Sequence, residues 1–516
     1  MSVHPAPAGP PAGTSASAPA DYAVLRWLVA GTFIVILNET IMVNAIPRLM
    51  AELRVDARAA QWLTSGFMLT MAVVIPITGW FLQRATTRQA LATAMTTFCA
   101  GTLLAALAPT FGVLLTARVV QAVGTAIMMP LMMTTLMTVV RVQDRGRVMG
   151  NVTLAMSVAP ALGPAISGGV LAVASWRWMF GLVLPVSAAI TVLGLRRLRN
   201  VGETTGGAID PTSVALSAIG FGPLVYGLSQ LGGDARPAYV PWLAIGTGVG
   251  AVALFVLRQR RLARGGAPLL DLRVLTHRTY TVGLVLMAVA FMAMLGSMIL
   301  LPMYLQEVRG LSELRTGLLV MPGGLAMGLL GPVVGRLYDR FGGRVLIVPG
   351  SIGTAVSLAA FTQVAPDTSV WFVLAAHVLL MVSLAAIFTP VFTLTLGALP
   401  QQLYSHGSSL LGTLQQVAAA IGTALVVAAM AFRTTALPRA GAGDLVARAG
   451  GMRWGFAVGA VLAVALVTVS LFMPGHPDRT PDPAPLPGAP EPGASSGGTT
   501  DGAPGKIVAT SGGAHR

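Results

Sequence analysis

One acidic residue, Glu39, lies inside a long apolar stretch near the start of the chain. The stretch 24–47 is long enough to cross a bilayer, because about 20 apolar residues rising 1.5 Å each cover about 30 Å. A carboxylate near the centre of such a span costs about 2.5–3.5 kcal/mol, so it usually faces a water-filled cavity or a partner. Burial also favours the neutral form of a carboxyl group. Glu39 is therefore the first candidate for carrying a proton, and Asn38, Thr40 and Asn44 are candidates for lining a cavity beside it.

A second charged residue, Arg118, lies several residues inside another apolar run. Arginine does not lose its proton in proteins, so a buried guanidinium needs an anionic or carbonyl partner. Gln121 follows three residues later, shares a helix face with Arg118 and is a further candidate for lining the cavity. The alternative is that the side chain of Arg118 extends to the outer membrane surface while its stem stays in the apolar layer.

The composition is that of a membrane protein, with 54% hydrophobic residues, 10% charged residues and a mean hydropathy of +0.76. Soluble domains carry about 25% charged residues. The net charge of +15 comes almost entirely from arginines in short loops between apolar runs, so it indicates membrane orientation and no nucleic-acid partner. The one cysteine, Cys99, cannot form an intramolecular disulfide.

Apolar runs predict an all-α polytopic fold with 14 membrane spans. The predicted spans cover approximately residues 24–47, 60–82, 89–109, 111–140, 149–173, 178–195, 211–231, 239–257, 279–304, 316–337, 344–364, 369–398, 407–431 and 454–473. The predicted division is a disordered cytoplasmic tail at 1–21, a six-helix bundle at 22–200, two inserted helices at 201–265, a second six-helix bundle at 266–474 and a disordered tail at 475–516. If both termini are cytoplasmic, the loops on the cytoplasmic side carry more arginines than the loops outside, which is the expected bias. The predicted loop 433–453 would then lie outside although it carries arginines, so it opposes this orientation.

A loop motif occurs once in each predicted bundle. The segment 79–84 (GWFLQR) follows the second span, and the segment 335–340 (GRLYDR) follows the tenth, which is the second span of the last six. Two six-helix halves with matching loops indicate parallel repeats, with a substrate path between them near the membrane midplane.

The fifth predicted span contains the densest pattern of proline and small residues, APALGPAISGG at 159–169. Pro160 and Pro164 each remove a helix hydrogen bond and bend the helix. Gly163 with Ser167, and Ala165 with Gly169, form pairs of small residues that let another helix approach closely. Gly168 is a further small residue of this pattern. A bent and tightly packed span is suited to a hinge and a seal, and simple close packing is the alternative.

These segments resemble motifs of the major facilitator superfamily, specifically its 14-span drug:proton antiporter branch (the EmrB/QacA-like family). The stretch 37–47 resembles the first-span pattern LDxTxVNxALP, but the family's usual acid falls at Asn38 and the acid here is Glu39. The stretch 115–122 resembles RxxQG, which implies a role for Arg118 in proton transfer near the first-span acid. The stretch 159–169 resembles the antiporter motif GxxxGPxxGG, which implies exchange instead of symport.

The two loops resemble the cytoplasmic motif GxLaDrxGrR, which latches the cytoplasmic ends of neighbouring helices in the family. The first copy has Gly79, Arg84 and Arg88 but carries Gln83 in place of the aspartate. The residues that the second copy keeps are Gly335, Asp339, Arg340 and Arg344. The first copy must therefore use neutral hydrogen bonds where the second can use ion pairs. Topogenic charge alone would explain the two arginines of the first copy.

Two further polar positions are candidates for the cavity. His377 lies in the twelfth predicted span and could titrate near neutral pH, although a histidine bonded to a neighbouring helix is the alternative. Gln415 lies in the thirteenth span, where it could also cap a helix or bond across helices.

The resemblance implies proton-coupled efflux of lipophilic, often cationic small molecules or antibiotics across the cytoplasmic membrane by a monomer. No cofactor or metal is expected, and the drive is a proton gradient. The sequence contains no HExxH motif and no phosphate-binding loop, and its GxSxG match at 493–497 lies in the predicted disordered tail, away from any strand–turn–helix context, so an enzyme is not expected. The alternatives are a proton-coupled symporter or facilitator for a polar solute, which would need more polar groups at the midplane, and a non-transporting receptor or scaffold.

Overall fold

A computed structural model describes residues 19–43, 45–198, 200–201, 209–231, 237–265, 268–439 and 443–475. Within these ranges the chain is helical and no β-strand occurs. The helices are α1 Pro19–Val43, α2 Ile46–Leu53, α3 Ala57–Arg84, α4 Thr87–Ala106, α5 Phe111–Val139, α6 Arg145–Val173, α7 Arg177–Arg197, α8 Pro211–Ser229, α9 Val240–Gly265, α10 Arg278–Met303, α11 Glu313–Phe341, α12 Arg344–Phe361, α13 Val370–Gly397, α14 Tyr404–Arg439 and α15 Asp444–Ser470. Of these helices, all except α2 are long and apolar enough to cross a membrane. These 14 helices among the described residues confirm the predicted fold class.

Local chemistry explains several helix ends. The Asp56 carboxylate accepts a hydrogen bond from the backbone N–H of Ala59 at 2.7 Å and so caps the start of α3. Thr86 and Gln89 form a reciprocal capping box at the start of α4. Arg54 takes a left-handed backbone conformation with φ of 54°, which ends α2. Polar side chains thus provide partners for N–H groups that a helix start leaves unpaired.

Two predicted boundaries are wrong. The first span was expected to run to residue 47, but α1 ends at Val43 and Pro47 instead lies in the first turn of α2. Proline suits the first turn of a helix, because the N–H that it lacks would have no partner within the helix there and its fixed φ matches the helical value. The predicted loop at 433–453 is mostly helical, because α14 continues to Arg439 and α15 begins at Asp444. Its arginines therefore belong largely to helix ends and not to an irregular loop.

The first six and last six spanning helices repeat one packing scheme. In the first half α1 packs against α5, α6 and α7, and in the second half α10 packs against α13, α14 and α15. Similarly, α4 packs against α5 and α7, while α12 packs against α13 and α15. Each half therefore has the same arrangement of neighbours, as expected for parallel repeats.

The two halves meet along α6 with α11 and along α3 with α14. The two loop motifs lie at the end of the molecule where α3 joins α4 and α11 joins α12, and we call this the motif end. The far end is the opposite end, where α6 joins α7. At the motif end, a Cβ added to Gly146 would lie 2.7 Å from the Gly335 carbonyl oxygen, and one added to Gly331 would lie 2.6 Å from that of Gly150. Backbone therefore touches backbone between the halves at this end.

The same two helices separate toward the far end. A Cβ added to Gly324 would lie 3.5 Å from the Ala161 side chain. At Gly168 and Gly169 of α6 and at Gly317 of α11, an added Cβ would meet no described atom within 4 Å. The α6–α11 pair is thus in close contact at the motif end and splayed at the far end.

The inserted helices α8 and α9 pack against each other, and α8 also packs against α3 and α14. Arg258 at the end of α9 donates to both carboxylate oxygens of Asp210 at 2.7 and 2.8 Å. These hydrogen bonds from Arg258, with a further one from Ser213, hold the pKa of Asp210 well below its usual range. The buried Gln259 accepts hydrogen bonds from the backbone N–H groups of Leu269 and Leu270 at 2.8 and 3.1 Å. The inserted pair therefore fixes the segment that leads into the second half.

Candidate functional site

Glu39 and Arg118 carry opposite charges on two packed helices, α1 and α5, and these charges attract each other. Glu39 lies on α1 and is partly exposed, whereas Arg118 lies on α5 and is 1% exposed. Among the described residues neither side chain forms a direct ion pair. Because α1 ends at Val43, Glu39 is about 6 Å from its end by helix rise, and not near the middle of the span as expected. The carboxylate is therefore closer to the far end than to the motif end.

Arg118 is held by uncharged groups. Its Nη1 donates to Gln121 Oε1 at 2.9 Å, and its Nε donates to the Leu63 carbonyl at 3.3 Å. The guanidinium carbon lies 4.1 Å from the centre of the Phe67 ring, an arrangement that stabilises a cation over an aromatic face. The side chain therefore points into the bundle and does not extend to the membrane surface.

Gln121 continues this chain to a third helix. Its Nε2 donates to Thr102 Oγ1 on α4 at 2.9 Å, and Thr102 donates to the Phe98 carbonyl at 2.8 Å. Gly101 makes this contact possible, because a Cβ there would lie 2.7 Å from the backbone nitrogen of Gln121. The buried polar groups of α3, α4 and α5 thus form one connected network around Arg118.

The neighbours of Glu39 on α1 have different surroundings. Asn38 is 2% exposed, and its Nδ2 has no hydrogen-bond partner among the described residues. Thr40 donates to the Leu37 carbonyl of its own helix at 2.9 Å. A Cβ added to Gly163 would lie 2.5 Å from Thr40 Oγ1, so Gly163 lets α6 approach α1 here. Asn44, a predicted cavity residue, lies outside the described residues.

The rest of the fifth-span motif provides less packing than expected. Pro160 lies in α6 and is partly exposed. Pro164 also falls within the helix, although its side chain is not among those described. Gly168 and Gly169 are exposed, and a Cβ added to either would meet no described atom within 4 Å, whereas Gly163 contacts α1 and Ser167 is fully buried.

The second half contributes two polar side chains, His377 and Gln415, that each have a buried nitrogen without a partner among the described residues. His377 on α13 is 4% exposed, and its Nε2 lies 3.2 Å from the Val320 carbonyl of α11. Its Nδ1 has no partner among the described residues, and neither does the Nε2 of Gln415 on α14. Gln415 lies seven residues after Ser408, on the same helix face, and Ser408 Oγ is 2.9 Å from Thr134 Oγ1 of α5. Gln415 is therefore directed toward the first half.

The second copy of the loop motif joins the halves through a carboxylate. Asp339 accepts hydrogen bonds from the backbone N–H groups of Gly146 and Arg147 at 2.8 and 2.7 Å. These two groups belong to the first turn of α6, where Asp144 provides no side-chain cap. Asp339 thus caps a helix of the opposite half, which is a different use of its charge from the ion pair expected. Arg340 lies over the Phe341 ring at 5.1 Å, and Arg344 is exposed at the start of α12.

The first copy joins the halves through neutral groups. Gln83 Nε2 donates to the Gln402 carbonyl, just before α14, at 3.0 Å. A Cβ added to Gly79 would lie 3.1 Å from His406 Nδ1 of α14, so α3 and α14 are close at the motif end. Arg84 donates to the Trp80 carbonyl at 3.2 Å, and the backbone N–H of Arg88 donates to Asn200 Oδ1 at 3.2 Å.

The sequence profile of the Major Facilitator Superfamily matches residues 28–423. The chain belongs to this superfamily. It is 38% identical over 453 residues to the uncharacterised MFS-type transporter YcnB of Bacillus subtilis, covering 87% of this chain and 95% of that one. It is 37% identical over 455 residues to the lincomycin resistance protein LmrB of Listeria innocua, covering 87% and 96% of the two chains. The crystal structure of the human organic anion transporter MFSD10 matches 88% of this chain and 100% of its own with a TM-score of 0.60 at 13% identity, which supports the fold.

Several contacts between the halves of this facilitator were not foreseen from its sequence. Arg145, at the start of α6, donates to the Met137 carbonyl at 2.8 Å and to the Tyr404 hydroxyl of α14 at 3.2 Å. Thr153 Oγ1 and Thr389 Oγ1 lie 2.9 Å apart across α6 and α13. Spaced glycines were visible in the sequence as a signal for helix contact, but only the tertiary structure shows which helices they bring together.

Proposed function

We propose that this transporter exports lipophilic, often cationic small molecules across the cytoplasmic membrane in exchange for protons, acting as a monomer by alternating access. The observation that carries the proposal is the α6–α11 geometry, with backbone contact at Gly146 and Gly335 and separation at Gly169 and Gly317. Among the described residues, such a shape opens the space between the halves toward the far end. The lincomycin resistance name of LmrB supports an antibiotic as one substrate.

Orientation follows from the arginine distribution, which favours a cytoplasmic location for both termini and for the motif end. Under this orientation the structure corresponds to an outward-facing state. The predicted bundles, 22–200 and 266–474, would then move relative to each other, and the inserted helices at 201–265 would travel with them. Closure of the far end and release of the motif-end contacts would give the inward-facing state.

Glu39 is the proposed proton carrier. In the outward-facing state it lies close to the far end, from which a proton can reach it. Protonation removes its charge, which weakens its attraction for Arg118 and for a cationic substrate. Substrate then leaves outward, the transporter reorients, and the proton is released inward, where Arg118 favours the ionised carboxylate. Asn38, Gln415 and His377 supply hydrogen-bonding groups for polar parts of the substrate.

Transport into inside-out membrane vesicles tests this proposal. With an acidic vesicle interior, an antiporter drives labelled lincomycin inward above the level of vesicles that lack the protein, whereas a proton symporter for the same solute drives it outward. We expect Glu39→Gln to reduce the gradient-driven uptake to the level of empty vesicles. Glu307→Gln, which changes an exposed acid at the far end, is the matched control and should leave uptake intact. Full gradient-driven uptake by Glu39→Gln would exclude Glu39 as the carrier.

A further inference from the structure

The hydrogen bonds that lead away from Arg118 have only one consistent direction. A guanidinium can only donate, so Gln121 must present its carbonyl oxygen to Arg118 at 2.9 Å. The amide nitrogen of Gln121 must then face Thr102 Oγ1 at 2.9 Å, and the Thr102 hydroxyl donates to the Phe98 carbonyl at 2.8 Å. Gln121 and Thr102 are both fully buried, so no water competes for these groups. Thr102 therefore fixes the orientation of the amide that holds Arg118.

Helix α3 holds the same guanidinium from another side. Leu63 and Phe67 are four residues apart and share a helix face. Leu63 offers a carbonyl oxygen at 3.3 Å from Arg118 Nε, and the Phe67 ring lies 4.1 Å below the guanidinium carbon. Phe67 is fully buried, so the ring cannot be replaced by solvent. The guanidinium is thus restrained by an amide, a carbonyl and an aromatic ring, and none of these carries a charge.

This restraint matters because Glu39 and Arg118 attract each other in an apolar interior. A direct ion pair would keep the carboxylate ionised down to a much lower pH, since an adjacent opposite charge strongly favours the charged form. Among the described residues, however, Glu39 and Arg118 form no direct ion pair. The neutral partners of Arg118 oppose a movement of its guanidinium toward the Glu39 carboxylate.

The other helices packed against α1 place no further charge beside Glu39. Their arginines lie in the first or last turns of α4, α6 and α7, and these are Arg88, Arg145, Arg147, Arg177, Arg196 and Arg197. Cys99 on α4 donates to Ser187 Oγ of α7 at 3.3 Å. Within the described part of the bundle, burial affects Glu39 most, and Arg118 is the charged group that acts on it.

We propose that Thr102 and Phe67 are positioning residues that hold the Arg118 guanidinium away from Glu39, so that Glu39 gains and loses a proton without forming a direct ion pair. This inference rests on the proton exchange proposed above and assigns its control to two residues that lie away from the carboxylate. Loss of either restraint lets Arg118 approach Glu39. The carboxylate is then harder to protonate, and gradient-driven exchange requires a more acidic exterior.

Infrared titration of the purified full-length protein tests the inference without any transported substrate. The protonated carboxyl band of Glu39 is identified by subtracting the titration of Glu39→Gln. We expect Thr102→Val, which keeps the side-chain shape but removes the hydroxyl, to lower the titration midpoint by about one pH unit. Thr102→Ser restores the hydroxyl and should restore the midpoint. Phe67→Leu should lower it as well, by removing the aromatic face.

Thr96→Val is the matched control on α4, because the Thr96 hydroxyl is exposed and bonds the Ala92 carbonyl of its own helix at 2.6 Å. Its midpoint should equal that of the wild type. An unchanged or raised midpoint in both Thr102→Val and Phe67→Leu would overturn the inference, as would an equal shift in Thr102→Ser and Thr102→Val. If Thr102→Val does not fold, the titration midpoint of Phe67→Leu alone decides the inference. Absence of lincomycin exchange in the wild type would contradict the proposed function, while the infrared titration would still decide this inference.

Discussion

Asp339 in the second half accepts a hydrogen bond from the backbone N–H of Gly146 in the first half, at 2.8 Å. The second carboxylate oxygen accepts from Arg147 at 2.7 Å, so both bonds go to the first turn of α6. The N–H groups at a helix start have no partner within the helix, and the helix dipole favours an anion there. One side chain thus provides a cap for α6 and a link between the halves, and the link must break when the motif end opens.

Asp339→Asn should weaken closure of the motif end. The amide has one acceptor oxygen and no charge, so a charge-assisted bond is lost and we expect the open form to gain about 1 kcal/mol, or about fivefold in population. Spin labels on Arg141→Cys and Arg344→Cys, in a Cys99→Ser background, measure the distance between the halves at this end. The longer distance should become more populated in Asp339→Asn.

The control for this measurement is Asp367→Asn, which removes an exposed carboxylate from the connection between α12 and α13 at the far end. It should leave the distance distribution unchanged. An equal shift in both variants would indicate a general effect of charge, and an unchanged distribution in Asp339→Asn would show that the cap does not contribute to closure.

Gln415 should contribute to substrate binding more than to stability. Its Nε2 is buried without a partner among the described residues, so Gln415→Leu removes a donor whose desolvation is uncompensated. We expect the melting temperature of the variant to stay equal or rise, while the KM for lincomycin increases several-fold because an acceptor atom of the substrate loses its donor. Gln363→Leu, an exposed change at the far end, should alter neither quantity. A fall in melting temperature without a change in KM would assign Gln415 a structural role.

The sequence was sufficient for the number of spans but not for the surroundings of the charged residues. Long apolar runs define spans independently of tertiary structure, and for that reason all 14 were found. Gln121 could be placed beside Arg118 because both lie on one helix three residues apart. Thr102 and Phe67 come from other helices, and no local pattern in a sequence predicts which side chains two packed helices bring together.

The same limit applies to the ends of helices. The start of α15 was placed too late because Arg448 and Arg453 resemble loop residues, whereas in the structure they extend from the first turns of a membrane helix. Glu39 was placed too near the middle of its span because apolar residues continue past Val43, whereas the structure ends α1 at Val43 and places Pro47 in the first turn of a new helix, which sets the depth of the acid.

The Asp210–Arg258 pair should make a pH-dependent contribution to stability. Hydrogen bonds from Arg258 lower the pKa of Asp210 in the folded state, so the stabilisation is fully present above about pH 4, the usual range of an aspartate, and is lost as the pH falls below it. Asp210→Asn should therefore lower the melting temperature of the detergent-solubilised protein at pH 7, and the difference from the wild type should narrow at pH values below about 4. A difference that stays constant across this range would contradict a contribution from the carboxylate charge.

The glycine contacts between α6 and α11 allow the sharpest test of alternating access. A Cβ at Gly331 would lie 2.6 Å from the Gly150 carbonyl oxygen, and one at Gly150 would overlap the Gly331 backbone. Backbone cannot move aside as a flexible side chain can, so Gly150→Ala and Gly331→Ala should force the helices apart at the motif end. We expect lincomycin exchange to fall at least tenfold, because a shift of about 1.4 kcal/mol against the closed state changes its population tenfold.

Gly246→Ala in the inserted helix α9 is the matched control, since a Cβ there would meet no described atom within 4 Å. It adds the same methyl group to a membrane helix outside the α6–α11 contact and should keep exchange close to that of the wild type. The labelled pair at positions 141 and 344 should report the longer distance in Gly150→Ala and the wild-type distance in Gly246→Ala. If Gly150→Ala retains both the short distance and full exchange, the backbone contact is not required for closure, and the outward-facing state must be maintained by the Asp339 cap and the α3–α14 contacts instead.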